Sequence, residues 1–302
     1  MANFTLKQLR YFEALCRHGN FGRAAEASSV SQPALSVQIK DLEQNLGMAL
    51  FERGPREVTL TTFGADVAVR VREILRASNE LEDLAQTAKS NAVGRLRVGI
   101  IPTIAPYILP RVMRALTENY AGIEVQIRET LTPNLLNELK DGRLDTAILA
   151  LPVSEANLIE TPLFDEDFVL IRASADAADP VPNPDTLREM KLLLLEEGHC
   201  FRDQALSFCN FPSTRPWEGL DATSLSTLVQ MVAAGIGVTV LPEMAISVET
   251  RAADVSITRF DNPAPMRTIG MVWRKSTPMT DQLSNIARTI QDAVAPQSSA
   301  QD

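Results

Sequence analysis

Two of the three cysteines in this 302-residue chain, Cys200 and Cys209, stand nine residues apart in the stretch GHCFRDQALSFC, and one of its two histidines, His199, directly precedes the first. Several kinds of chemistry could use such a group. A structural zinc site needs four ligands; Cys200, Cys209 and His199 supply at most three, with no close-spaced Cys or His pair elsewhere, so no metal is expected. A thiol hydrolase needs a base held by an orienting partner, and neighbours in sequence such as His199 and Cys200 usually point apart. Two buried thiols are the packing alternative, and Cys209 in the apolar SFC fits it. Cys200 differs. His199 precedes it, Arg202 follows, and RDQALSF begins a helix whose positive end favours a thiolate, so its thiol should be acidic and reactive. Cys16, next to Leu15, reads as a small buried apolar residue.

The elements that must hold these groups belong to more than one domain, because 302 residues suffice for two or three units with cores of their own. The composition, 45% hydrophobic and 22% charged, is that of a folded soluble protein, with only the tail APQSSAQD biased toward disorder. MANFTLKQLRYF lacks the basic start and apolar run of a signal peptide. A reducing cytoplasm is therefore expected, where three cysteines do not make a disulfide framework. The weakly charged run Leu225 to Leu241 is broken by Gly235 and Gly237 and followed by Pro242 and Glu243, so it reads as a helix and a buried strand with no membrane partner. Net charge is −9, but residues 1–63 carry +1, leaving −10 for the rest. That balance argues against non-specific polyanion binding. Any nucleic-acid function must rest on a motif.

Such a motif is present. Leu35, Ile39, Leu42 and Leu46 recur at helical spacing, Ser31 stands at the N-cap position and Pro33 in the first turn, predicting a helix from Gln32. Ala24, Ala25 and Ala27 predict a preceding small-residue helix, with SSV as the turn. Gln32, Ser36 and Lys40 lie on the other face at four-residue spacing and can meet base edges or phosphates of double-stranded DNA, with Ser31 and Pro33 at the helix start as further DNA-contact candidates. ERGPREVTLT, with Arg53 and Arg56, reads as a wing touching phosphate. From Thr61 a long helix carries a seam, Val67, Val71, Ile74, Ser78, Leu81, Ala85 and Ala88, that needs a partner helix or its own domain. Beyond SNAVG, RLRVGII, a helix over 106–120, EVQIRE, a helix over 133–141 and LDTAILAL spell βαβαβ and a parallel sheet. FVLIR, KLLLLEE, a helix over 223–234, GVTVL, TIGMVWRK and a helix from Met279 follow. Thr103 ends the first strand at a helix start, where ligands of such sheets sit and where it could also serve as a cap.

The signatures AA, SQPALS, LE..LG..LFER and LT..G resemble the winged helix-turn-helix of LysR-type transcriptional regulators, and the likeness runs the length of the chain. It implies a winged helix-turn-helix over 1–60, a dimerising linker helix over 61–92 and a two-subdomain, periplasmic-binding-protein-like α/β regulatory domain over 93–302. Implied partners are an inverted-repeat DNA operator, RNA polymerase and further copies of the chain, as homodimer or homotetramer. GHC.RDQA..FC resembles the sensing segment of the hydrogen peroxide-responsive branch of that family, which implies peroxide oxidation of Cys200 and a disulfide with Cys209. Peroxide would be held by Thr103, His199 and Arg267, with Asp203 and Thr132 behind them. Such a protein is a sensor without a cofactor, not an enzyme. That branch commonly has an aliphatic residue where Phe201 stands. The alternatives are a regulator responding to a small metabolite, with incidental cysteines, and a thiol peroxidase.

Overall fold

The computed structural model describes residues 4–54, 58–89, 94–208, 221–261 and 263–295, with backbone alone at 53, 80, 82–89, 184, 185 and 188. The chain divides into two units, Met1–Ala85 and Gln86–Asp302.

In the first unit, local caps set the boundaries. Helix α1 (Leu6–His18) starts at a reciprocal box in which Thr5 accepts from the Gln8 amide and Gln8 accepts from the Thr5 amide. Asn20 caps α2 (Phe21–Ala27) by accepting from the amides of Gly22 and Arg23. Ser31 caps α3 (Gln32–Leu46) by accepting from the Ala34 amide at 3.4 Å, and Pro33 lies in the first turn. Strands β1 (Phe51–Arg53) and β2 (Val58–Leu60) pair antiparallel as the wing. The family-like signatures acquire physical roles: the Glu43 carboxylate accepts from the Leu50 and Phe51 amides, fixing the entry to the wing. Thr61 caps the next helix, accepting from the Gly64 amide at 2.9 Å. A Cβ at Gly64 would stand 2.0 Å from the Leu50 carbonyl oxygen, so only glycine permits that approach.

Helix α4 (Thr62–Lys89) follows. The seam read from its sequence divides. Val71 is buried in the unit's own core with Ala68, Phe12, Leu15, Leu35, Ile39 and Leu42, and Val67 packs against that core. Ile74 and Leu81 remain 39% and 66% exposed. The side chains of Ala85 and Ala88 lie outside the described residues.

In the second unit, β3 (Arg95–Ile100), α5 (Ala105–Asn119), β4 (Glu124–Glu129), α6 (Thr132–Lys140) and β5 (Thr146–Leu151) form the expected βαβαβ, with β3 parallel to both β4 and β5. Then come β6 (Leu158–Ala173), α7 (Pro184–Glu189), β7 (Leu194–Leu195), α8 (Cys200–Phe208), β8 (Asp221–Ala222), α9 (Leu225–Ala233), β9 (Thr239–Pro242), α10 (Ile246–Glu249), β10 (Val255–Arg259), β11 (Met266–Arg274) and α11 (Thr280–Val294). The sheet order is β10-β6-β11-β5-β3-β4, with β9 also on β6.

Strand β6 joins two subdomains. Leu158–Asp167 pairs with β11 over one core, built on Leu96, Ile100, Ile148, Trp273 and Ile286, whereas Val169–Ala173 pairs with β10 over a second core, built on Leu170, Leu195, Phe201, Leu228 and Val240. Two expectations need correction. FVLIR is the end of a strand that begins ten residues earlier, because Pro162 lies where the register slips between Ile269 and Gly270, and an irregular ladder tolerates proline. In KLLLLEE only Leu194 and Leu195 form a ladder, although Leu192–Leu195 are all buried.

Candidate functional site

The polar centre of the second unit is built on neighbouring positions of two strands. Arg267, second residue of β11, lies opposite Glu166 of β6. Its Nε donates to the Glu166 carboxylate at 2.8 Å, its terminal nitrogens donate to the Thr103 hydroxyl at 3.0 Å and the Thr103 carbonyl at 3.1 Å, and the other Glu166 oxygen accepts from the Met244 amide at 2.9 Å. The guanidinium carbon lies 5.8 Å from the ring centres of both Phe168 and Phe201. Arg267 and Glu166 are both buried, so each requires the other: removing one partner of such a pair costs about 3–5 kcal/mol. The structure thus takes Thr103 out of the capping role. Ile104 occupies the N-cap position of α5 without a side-chain cap, and the Thr103 hydroxyl faces Arg267.

Beside this network a cleft of about 390 Å³ is lined by Thr103, Tyr107, Leu131, Glu196, His199 and Glu249, among others. Tyr107 of α5 donates to Glu249 of α10 at 2.7 Å, and Ser226 of α9 donates to the same carboxylate, so one acid ties both subdomains together. Burial, and then the Glu249 carboxylate, hold the Tyr107 phenol well above its ordinary range, keeping it a donor. His199 is buried at the cleft wall; its pKa is lowered by burial, against a smaller opposing effect of Glu196. Its imidazole is therefore neutral at pH 7. Thr132 begins α6 just after the cleft residues Thr130 and Leu131, and its buried hydroxyl has no hydrogen-bond partner among the described residues.

Cys200 is the first residue of α8, half-buried against the first subdomain's core, while the next residue, Phe201, is fully buried in the second. Phe201 anchors the helix edge-on against Phe168, with ring centres 5.3 Å apart. Gly198, at φ +95, makes the entry turn, a conformation that favours glycine. The flanking groups add less positive charge than the sequence suggested: Arg202 is turned to the Leu195 carbonyl at 2.8 Å and Asp221 at 2.9 Å, and His199 is neutral. Asp203 is exposed on α8, and no described residue bonds its carboxylate, so nothing shown places it behind the peroxide candidates. Cys209 lies outside the described residues. Glu166, Phe168 and Gly198 were missed by sequence reasoning; Glu166 stands between the exposed Asp165 and Asp167 in DEDFVLIR, so nothing in that stretch marks it as the buried acid. Burial, with a smaller effect of Glu13, pushes the Cys16 thiol up to about 12.

On α3, Gln32, Pro33 and Lys40 are exposed and Ser36 half-buried, opposite the buried Leu35, Ile39 and Leu42. Arg53 ends β1; its side chain, and Arg56 entirely, lie outside the described residues. Among the described residues no cluster of three or more His, Cys, Asp or Glu could hold a metal ion, and no helix is long and apolar enough to cross a membrane.

Comparison with known proteins matches residues 6–65 to the bacterial regulatory helix-turn-helix protein, lysR family, and residues 89–295 to the LysR substrate binding domain. The chain is 41% identical over 298 residues to a probable hydrogen peroxide-inducible genes activator of Streptomyces viridosporus, covering 96% of this chain and 94% of that one. It is 39% identical over 288 residues to the DNA-binding transcriptional dual regulator OxyR of Escherichia coli, covering 94% of each. Among solved structures it is similar to a full-length cysteine-to-aspartate variant of OxyR from Pseudomonas aeruginosa, with TM-score 0.73, 36% identity and 99% of each chain covered. A hydrogen peroxide-bound OxyR variant from Corynebacterium glutamicum gives TM-score 0.65 and 36% identity, over 96% of this chain and 92% of that one. With both of its parts matched along nearly their whole length, the chain belongs to the LysR family of helix-turn-helix transcriptional regulators.

Proposed function

We propose that the chain is a hydrogen peroxide sensor that converts oxidation of Cys200 into a change in DNA binding and in transcription of oxidative-stress genes. The observation that carries this reading is the position of Cys200 at a helix N-terminus directly after His199, which shares a cleft with Thr103, itself held by the buried Arg267. The Cys200 sulfur attacks one peroxide oxygen as the O–O bond breaks; hydroxide leaves, and the sulfur becomes a sulfenic acid. Arg267, Thr103, the neutral His199 and the Thr132 hydroxyl, unpartnered among the described residues, supply hydrogen bonds to the peroxide and to the departing oxygen. The Cys209 sulfur then displaces the sulfenic oxygen as water, forming the disulfide. Turnover is single, so the chain acts as a sensor and not as an enzyme. It resides in the cytoplasm and works as a homodimer or homotetramer, with residues 1–60 on an inverted-repeat operator, 61–92 as dimerising linker, 93–302 as sensor, and RNA polymerase as a further partner. An apolar groove on the first unit, lined by Phe4, Leu9, Leu46, Phe63, Val67 and Ile74, supports the dimer. Titration of free thiols with peroxide tests the reading: two thiols should disappear per chain, both restored by dithiothreitol, and a protein that keeps all three thiols at equimolar peroxide contradicts it.

A further inference from the structure

Val37 is an exposed hydrophobic side chain for which the packing of its own unit gives no reason. Leu35, Ile39 and Leu42 of α3 are fully buried, whereas Val37, two positions after Leu35 and thus roughly 200° round the helix, is 55% exposed. It stands near the middle of the outward face, with Pro33 and Lys40 exposed about one turn to either side and Ser36 beside it. Valine is a weaker helix former than the unbranched residues, because its branched Cβ loses rotamers against the preceding turn. An exposed valine here gains neither packing nor helix stability, a local inconsistency of the kind found at functional positions. The exposed Phe4 and Ile74 of the same unit line the apolar groove of the proposed dimer; Val37 lies outside it, as do the exposed Leu6, Met48 and Val69, and of these Val37 is the one on α3.

We infer that Val37 reads a base: its methyl groups contact the 5-methyl group of a thymine in the major groove of each operator half-site. The helix-turn-helix assignment puts the outward face of α3 in that groove. A valine side chain has no donor or acceptor, and the apolar feature that the major groove offers is the thymine methyl. Gln32, Ser36 and Lys40 then supply polar and phosphate contacts around an apolar centre. The inference rests on the DNA-binding reading above and adds a specificity-determining residue to it.

The test uses the full-length reduced protein. Duplexes are selected by it from a random pool, and each thymine of the selected half-site is then replaced by uracil, which deletes only the methyl group. At one thymine per half-site, uracil should weaken binding of the parent about four-fold, the worth of one buried methyl group. Val37→Ala, which removes the contact at every half-site, should bind the thymine duplex more weakly by about four-fold per half-site occupied and be indifferent to uracil at that position. The substitution is at an exposed helical position and favours the helix, so the fold is kept. If the parent tolerates uracil at every position, or if both proteins lose equally at the same thymine, the inference is overturned. If the parent fails to distinguish the selected duplex from random DNA, the DNA-binding reading falls, and this one with it; selective binding without a Val37-dependent thymine overturns the inference alone.

Discussion

Cys200 and Cys16 show how one side chain takes two chemistries from its surroundings. Cys200 begins a helix beside a polar cleft, while Cys16 sits in an apolar first-unit core with Glu13 nearby and stays protonated, its pKa pushed up to about 12. Peroxide should therefore oxidise Cys200 first: Cys200→Ser abolishes thiol loss at equimolar peroxide and Cys16→Ser leaves it intact. A mass spectrum with the first added oxygen on Cys16 would contradict the assignment. His199 carries a second prediction. Its folded pKa lies below its unfolded value of about 6.5, so the unfolded chain takes up the proton more readily. The stability this contributes is complete above that value and is lost as pH falls through it toward the folded pKa. The melting temperature of the parent should fall more steeply than that of His199→Asn on going below pH 6.5; parallel curves would sink the idea. Thr103, His199 and Arg267 could be named from motifs, because the resemblance fixes their places. Glu166 could not, since it stands 101 residues from Arg267 in sequence and only the ladder between β6 and β11 puts them side by side.

Among the elements, α8 decides how the sensor can switch. It runs nine residues from Cys200 to Phe208, so the Cα atoms of those two residues are roughly 12 Å apart. Cys209 is joined to Phe208 by one peptide, a Cα step of about 3.8 Å, which leaves it at least about 8 Å from Cys200 while the helix stays intact. A disulfide needs Cα atoms within about 7 Å. Attack on peroxide is compatible with this helix; resolution requires it to unwind. The cost is concentrated at Phe201 and Ala205, which are buried in the second core. Hydrogen exchange over residues 196–208 should accelerate sharply on oxidation of the parent and stay slow in Cys209→Ser treated with the same peroxide. Equal protection in reduced and disulfide forms would mean that the bond forms by another route. Most elements were legible in the sequence, because the Ser31 cap, Pro33 in the first turn and the apolar spacing of α3 are local signals. Strand β6 was not: its first half alternates weakly around Pro162, and only pairing with β11 holds it extended.

For the whole molecule, charge limits how DNA can be held. Residues 1–63 carry +1 and residues 64–302 carry −10, so the chain beyond the helix-turn-helix adds no net attraction for DNA, and affinity must come from few phosphate contacts multiplied by the number of copies bound. The subdomain architecture was legible only through the resemblance, since composition cannot say that β6 serves two cores. Two consequences follow for binding measured on the full chain. Arg53→Ala, in the wing, should weaken binding to operator and random duplex alike and reduce the salt slope by about one per copy, whereas Gln32→Ala and Ser36→Ala should change sequence preference at an unchanged slope. Unwinding of α8 exposes Phe201 and its neighbours, which must repack, and any subunit contact that segment touches is redrawn with them. Rearranging subunits changes the spacing at which paired helix-turn-helix units meet their half-sites, and half-site spacing on DNA is fixed by the helical repeat. Peroxide should therefore alter the length or the periodic pattern of the protected DNA in the parent, and leave the footprint of Cys200→Ser as it is in the reduced protein. If the parent's footprint is the same before and after disulfide formation, oxidation acts on transcription without moving the DNA-binding units.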